Sequence, residues 1–269
     1  MFCPTCGTKI PDDSKFCINC GNLLDESNKS KINNTSNLFG DFILTITTNP
    51  LSACKDFINK LSSSFVATYF IIVAILFSIT NVVALKSNFS QYFIKIINIS
   101  DKLKGNVLDT SDLYEITAFI TPLKDTLFPF NKTFSWFLTF ILVFYLVIIL
   151  LSYFYHNIIL KTQVNWKNYF IVSSVALTIQ FEISLLYLIT SFISLYLSIA
   201  IITLSTPLII IVLYKGFSNF IETKPTTPYC FACIYAIANI LSTYIYIGLA
   251  SAHFINLTLS GFSNMLNLF

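Results

Sequence analysis

The 269-residue sequence contains no arginine; all 16 basic residues are lysine. Arginine grips phosphate through paired hydrogen bonds from a planar fork. Its absence, with a net charge of only +3, excludes a nucleic-acid-binding footprint. Charged residues make up 11% of the chain, against about 25% in soluble domains. That is too little charge to coat a soluble globule, and 55% apolar residues exclude disorder. Seven glycines and eight prolines exclude a collagen-like or loop-rich fold. Catalytic patterns are missing too. No carboxylate pair, Ser/His/Asp set, Gly-rich phosphate loop or H-E-x-x-H motif occurs, so the chain is expected not to be an enzyme. Residues 1–30 hold no long apolar run and do not read as a secretory signal.

What the chain does have at its start is cysteine. Cys3-Pro-Thr-Cys6-Gly7 is followed ten residues later by Cys17-Ile-Asn-Cys20-Gly21. Two residues between thiolates let one tight turn aim both sulfurs at a single metal. A glycine after each pair lets the backbone turn and brings amide N–H groups toward sulfur. Four thiolates make the closed tetrahedral site of structural zinc, so Cys3, Cys6, Cys17 and Cys20 are the expected ligands. Two disulfides are the alternative, and a reducing cytosol disfavours them. So short a unit buries no useful core, and zinc would supply its folding energy. The predicted ribbon covers residues 1–22, and a polar tether rich in Asn, Ser, Asp and Lys covers 23–38.

Residues 39–62 read as an amphipathic interfacial segment. Phe39, Phe42, Ile43 and Ile46 share one helical face. Asn49-Pro50 then breaks the helix and starts another, Asn as N-cap and Pro in the first turn. The second stripe is Leu51, Cys54, Phe57, Ile58 and Leu61. A frayed start to the first span is the alternative to a surface helix.

Residues 63–251 form a predicted five-helix transmembrane domain. A bilayer core needs about 20 apolar residues per helix. Five segments qualify, at about 64–85, 134–155, 169–190, 192–214 and 229–250. The long run 169–214 is expected to divide near Thr190-Ser191, and Pro207 to kink the fourth span. The fold class expected is therefore an all-α membrane protein, a five-helix bundle carrying a small four-cysteine zinc ribbon. Lys161 and Lys167 in one short connection, and Lys215 and Lys224 in another, place those loops in the cytoplasm. The N-terminus is then cytoplasmic and the C-terminus external, in agreement with reduced thiolates. The external connection 86–133 carries a further stripe, Phe89, Tyr92, Phe93, Ile96 and Ile97, expected to be a helix lying on the outer surface.

Within the spans, Glu182 is the one acid. An intramembrane acid is a candidate functional group by default. It could serve structure, protonated or bonded to Gln180, Asn239 or hydroxyls in the bundle, or it could serve ion or small-molecule transport. Cys230-x2-Cys233 could be half a metal site or small apolar packing. His156 and His253 fall at opposite ends of spans and are expected at the interfaces.

Thr48-Asn49-Pro50 before an amphipathic segment, the connector KTQVNWKNY from Lys161 to Tyr169, and Tyr214-Lys215-Gly216-Phe217 before the last span together resemble the Yip-type family of five-span membrane proteins. Over roughly residues 40–250 the resemblance implies a membrane-organising or adaptor role and carries no catalytic residues. Bacterial members often bear an N-terminal zinc ribbon. Heavy Asn, Ile and Lys use suggests an AT-rich bacterial genome, without the small-GTPase partners of eukaryotic relatives, and hence a bacterial plasma membrane. The expected partners are the lipid bilayer and a cytoplasmic protein docked on the ribbon, with no nucleic acid; the sequence sets no oligomeric state.

Overall fold

The computed structural model describes Thr8, Asn19 and residues 34–57, 60–103, 110–220 and 227–266. The four predicted zinc ligands and most of the tether lie outside these residues. Two compact units divide the chain, Met1–Thr48 and Asn49–Phe269.

In the first unit, α1 spans Asn34–Thr48. It takes in residues 34–38, which composition assigned to the tether. A helix needs a nucleating turn before its apolar stripe, and residues 34–38 offer no Gly or Pro to prevent one. Near its end the hydroxyls of Thr45, Thr47 and Thr48 donate to carbonyls four residues back.

The second unit opens at Asn49, whose side chain accepts from the Ser52 amide and caps α2, Pro50–Asp56. Ala53, Cys54, Phe57 and Leu61 are buried, and α2 packs on α6 (Trp166–Ile193) and α7 (Leu195–Ser218). Of the predicted stripe, Cys54, Phe57 and Leu61 thus face protein, while Leu51 remains exposed.

Among the described residues, five helices are long and apolar enough to cross a membrane, with candidate spans Ser63–Ile99, Phe130–Ile159, Trp166–Ile193, Leu195–Ser218 and Thr227–Leu259. No strand occurs among the described residues. The first span belongs to α3, Ser63–Leu103, a 41-residue helix of about 60 Å at 1.5 Å per residue. The stripe Phe89–Ile97 therefore continues α3 and is not a separate surface helix. No glycine or proline interrupts residues 63–103, so nothing ends the helix where the lipid-length segment ends. α4, Thr110–Leu127, packs back on this extension through Lys86–Asp125 (2.8 Å) and the ring contact Phe93–Phe119, and Phe128 just after it meets Phe89.

Pro129 caps α5, Phe130–Tyr153, which runs on through a π-helical turn, Phe154–Ile159. The chain leaves that turn through Lys161, at φ 56°, a left-handed position where glycine is the usual occupant. α8, Thr227–Leu266, completes the bundle. α3 packs chiefly on α6, α6 on α7, and α5 on α8, whereas α7 and α8 touch sparingly.

The break between the third and fourth spans falls at Ser194, with extended backbone (φ −157°, ψ 126°), and not at Thr190-Ser191. The physical cause lies on α3. Ser87 Oγ donates to the Ser191 carbonyl at 3.0 Å, and Gln91 donates to the same oxygen. A carbonyl satisfied from outside can leave the helical ladder, so the helix ends just beyond it.

Candidate metal centre and polar groups of the bundle

Thr8 follows Cys6 by two positions, and Asn19 lies between Cys17 and Cys20. Asn19 Nδ2 donates to Thr8 Oγ1 at 3.0 Å, a tie across 11 residues that joins positions adjoining the two C-x2-C pairs. The donor set, four soft thiolates in two pairs, fits a tetrahedral zinc ion and leaves no open position. Among the described residues, no group of three or more His, Cys, Asp or Glu could hold a metal. Cys230 is half-buried and Cys233 exposed on α8, both as free thiols.

One end of the bundle brings together the segments that carry the sequence motifs. Trp166 stacks on Tyr153 with centroids 4.0 Å apart, and Phe217 stacks on Phe231 at 5.3 Å. His156, in the π turn, bonds through Nδ1 to the Tyr169 hydroxyl at 3.0 Å, while its Nε2 has no hydrogen-bond partner among the described residues. Gly216 is a point of close helix approach. A Cβ there would stand 2.8 Å from Val172 Cγ1 and 3.2 Å from Cys54 Sγ. Burial pushes the Cys54 thiol up to about 12, so it stays protonated and unreactive.

His253, toward the other end, is also buried. Its Nε2 faces the Thr126 carbonyl at 3.3 Å and its Nδ1 faces Lys132 Nζ at 3.0 Å. An Nε2–H tautomer satisfies both contacts, donating to the carbonyl and accepting from the ammonium. The two histidines are therefore buried by neighbouring helices and held by named partners. Each helix end is covered by a neighbouring segment that sequence periodicity does not place.

Glu182 is half-buried on α6, close enough to Tyr69 of α3 to act on it electrostatically. One turn earlier, Thr178 bonds the Tyr69 hydroxyl at 2.8 Å. Gln180 accepts from the Tyr145 hydroxyl at 2.9 Å. It lines a cavity of about 270 Å³ to which all five spans contribute. Asn239 also lines it, and Glu182 does not. Residues two apart on a helix point some 200° apart, which places the acid and the cavity on different faces of α6. The other polar lining groups, Asn81, Ser184, Tyr187, Ser205, Thr206 and Tyr235, escaped notice in the sequence. Their signal was present: Gln180, Ser184 and Tyr187 recur at i, i+4 and i+7, and Tyr235 and Asn239 at i, i+4.

The architecture defines a class: an all-α, five-span membrane protein with an N-terminal zinc-ribbon domain. Residues 2–24 match the family described as a zinc-ribbon domain, which covers all four cysteines and implies zinc binding. The matched segment stops short of the bundle. No curated protein and no solved structure matches the chain.

Proposed function

We propose that this protein is a membrane adaptor, in which the zinc ribbon docks a protein partner and the five-span bundle anchors it and organises the surrounding bilayer. The observation that carries the reading is the joining of a ribbon-family segment at residues 2–24 to five membrane-length apolar helices. Cys3, Cys6, Cys17 and Cys20 hold the metal as thiolates. Zinc supplies a rigid fold to a segment too short to build a core. Its coordination sphere is filled by sulfur, which suits a structural ion and leaves no position for substrate.

The lysine-bearing loops set the ribbon in the cytoplasm. An odd number of spans puts the end of the fifth on the external face, and the membrane is the plasma membrane of a bacterium. The resemblance to the Yip-type family supports an organising, non-catalytic role.

Crosslinking in intact cells, followed by purification in mild detergent and mass spectrometry, tests the adaptor reading. A partner is expected to be trapped with the native chain and lost when all four cysteines are replaced by serine. Equal recovery from the serine variant, with membrane insertion unchanged, refutes it.

A further inference from the structure

The polar cavity among the spans has no part in ribbon docking. Its walls come from the middle stretches of α3, α5, α6, α7 and α8. A bundle built only to anchor would fill this space with apolar side chains. Polar groups are costly in hydrocarbon unless they are bonded. Here they converge from α3, α6, α7 and α8 on one volume.

Several are only partly satisfied by protein. Asn81 is buried and donates to the Phe77 carbonyl through Nδ2; no donor reaches its Oδ1 among the described residues. Gln180 uses its carbonyl oxygen on Tyr145, which leaves its two amide hydrogens available. The Tyr187 oxygen accepts from Asn88 and keeps its own hydrogen to donate. Acceptor and donors thus surround one space, and none of the lining residues is an acid, a lysine or a histidine. Phe77, Phe137 and Phe140 supply aromatic wall beside them. The volume, about 270 Å³, equals that of roughly nine liquid waters, room for a small organic molecule. On α7, Ile202 is both in the wall and exposed on the bundle. Pro207 follows the wall residues Ser205 and Thr206 and leaves the helix one hydrogen bond short.

We infer that this cavity is a binding site for a small, uncharged, partly apolar molecule with hydrogen-bonding groups, such as an alcohol or amide that partitions into the bilayer. It enters through the sparsely packed seam between α7 and α8. Asn81 Oδ1 accepts from its hydroxyl or N–H, and Gln180 or Tyr187 donates to its oxygen. Absence of charge in the wall selects against ions, because an ion would be stripped of water with no counter-charge to meet it.

Photolabelling of the full chain in lipid nanodiscs tests this with three probes: an octanol bearing a diazirine, the matching diazirine hydrocarbon, and the matching diazirine ammonium. The alcohol is expected to label peptides around 180–187 and 235–239 saturably, while the hydrocarbon labels the lipid-facing surfaces without saturation. Asn81→Leu is expected to weaken half-saturation by the alcohol about three- to tenfold, the loss expected for one or two hydrogen bonds. The two uncharged probes need no variant, so the test survives poor folding of Asn81→Leu. Equal labelling by alcohol and hydrocarbon, or saturable labelling by the ammonium at the same peptides, overturns the proposal. A folded Asn81→Leu protein with unchanged half-saturation overturns it as well.

Discussion

Replacing Gly216 by alanine adds one methyl where α7 packs tightly against α6 and α2. That carbon would stand 2.8 Å from Val172 Cγ1 and 3.2 Å from Cys54 Sγ, where carbon pairs prefer about 3.5–4.0 Å. Val172 is fully buried and β-branched, and on a helix such a side chain has essentially one χ1 rotamer. It cannot swing aside, so α6 and α7 must part or Val172 must leave its rotamer. Overpacking of this kind costs about 1–3 kcal/mol. Alanine's better helix propensity returns at most about 1 kcal/mol. The net expectation is a destabilisation of about 1–2 kcal/mol, or a fall in Tm of about 2–8 °C for a domain of this size. The assay follows from Cys54, whose buried thiol becomes reactive only when α2 leaves the bundle. Thermal melting in mild detergent is read by alkylation of that cysteine, located by peptide mass spectrometry. Adding Val172→Ala to Gly216→Ala removes the clash and should recover about 1 kcal/mol relative to additivity. A Gly216→Ala protein that melts at or above the parent, or strict additivity of the two substitutions, refutes the close-approach argument.

Lys161 holds a left-handed backbone (φ 56°) at some cost to a residue with a Cβ. Lys161→Gly should therefore raise stability by about 0.5–1 kcal/mol, read by the same melt; a lower Tm counts against a left-handed cap. Thr178 donates its hydrogen to the Ser174 carbonyl, so Tyr69 must be the donor in their 2.8 Å bond. A double-mutant cycle of Tyr69→Phe and Thr178→Val should give a coupling of about 0.5–1.5 kcal/mol, and a coupling near zero would deny the bond. The hydrogen bond and charge of Lys86 hold the Asp125 carboxyl below its usual range. A depressed carboxylate contributes above its unfolded value of about 3.9 and loses that contribution as pH falls through the folded value. Titration of Asp125 by NMR should therefore show a midpoint below 3.9, and Lys86→Met should raise it; a midpoint at or above 3.9 in the parent removes the pairing. Metal analysis should find one zinc per chain, abolished by serine at Cys3, Cys6, Cys17 and Cys20. Serine at Cys230 and Cys233 should leave it intact, and loss of zinc there would relocate the site.

Some of this molecule is written locally and can be read from the chain alone. A stretch of some twenty apolar residues must form a helix in lipid because its backbone has no other hydrogen-bond partners. That is why five spans were countable. Asn49-Pro50 starts a helix through atoms of its own neighbourhood, and paired cysteines with two residues between them announce a ribbon for the same reason. Other features depend on groups far away along the sequence. The Ser194 break has no Gly or Pro to mark it and is set by Ser87 and Gln91 reaching the Ser191 carbonyl. Gly216 is small because Val172 and Cys54 stand against it. His156 and His253 sit at span ends in the sequence, yet packing buries both. Most telling is the sorting of polar residues within the bundle: Glu182 and Gln180 are two positions apart, but only Gln180 reaches the cavity. Periodicity assigns residues to helix faces. Which face meets which neighbour is a property of helix rotation, and only the packing of all five spans decides it.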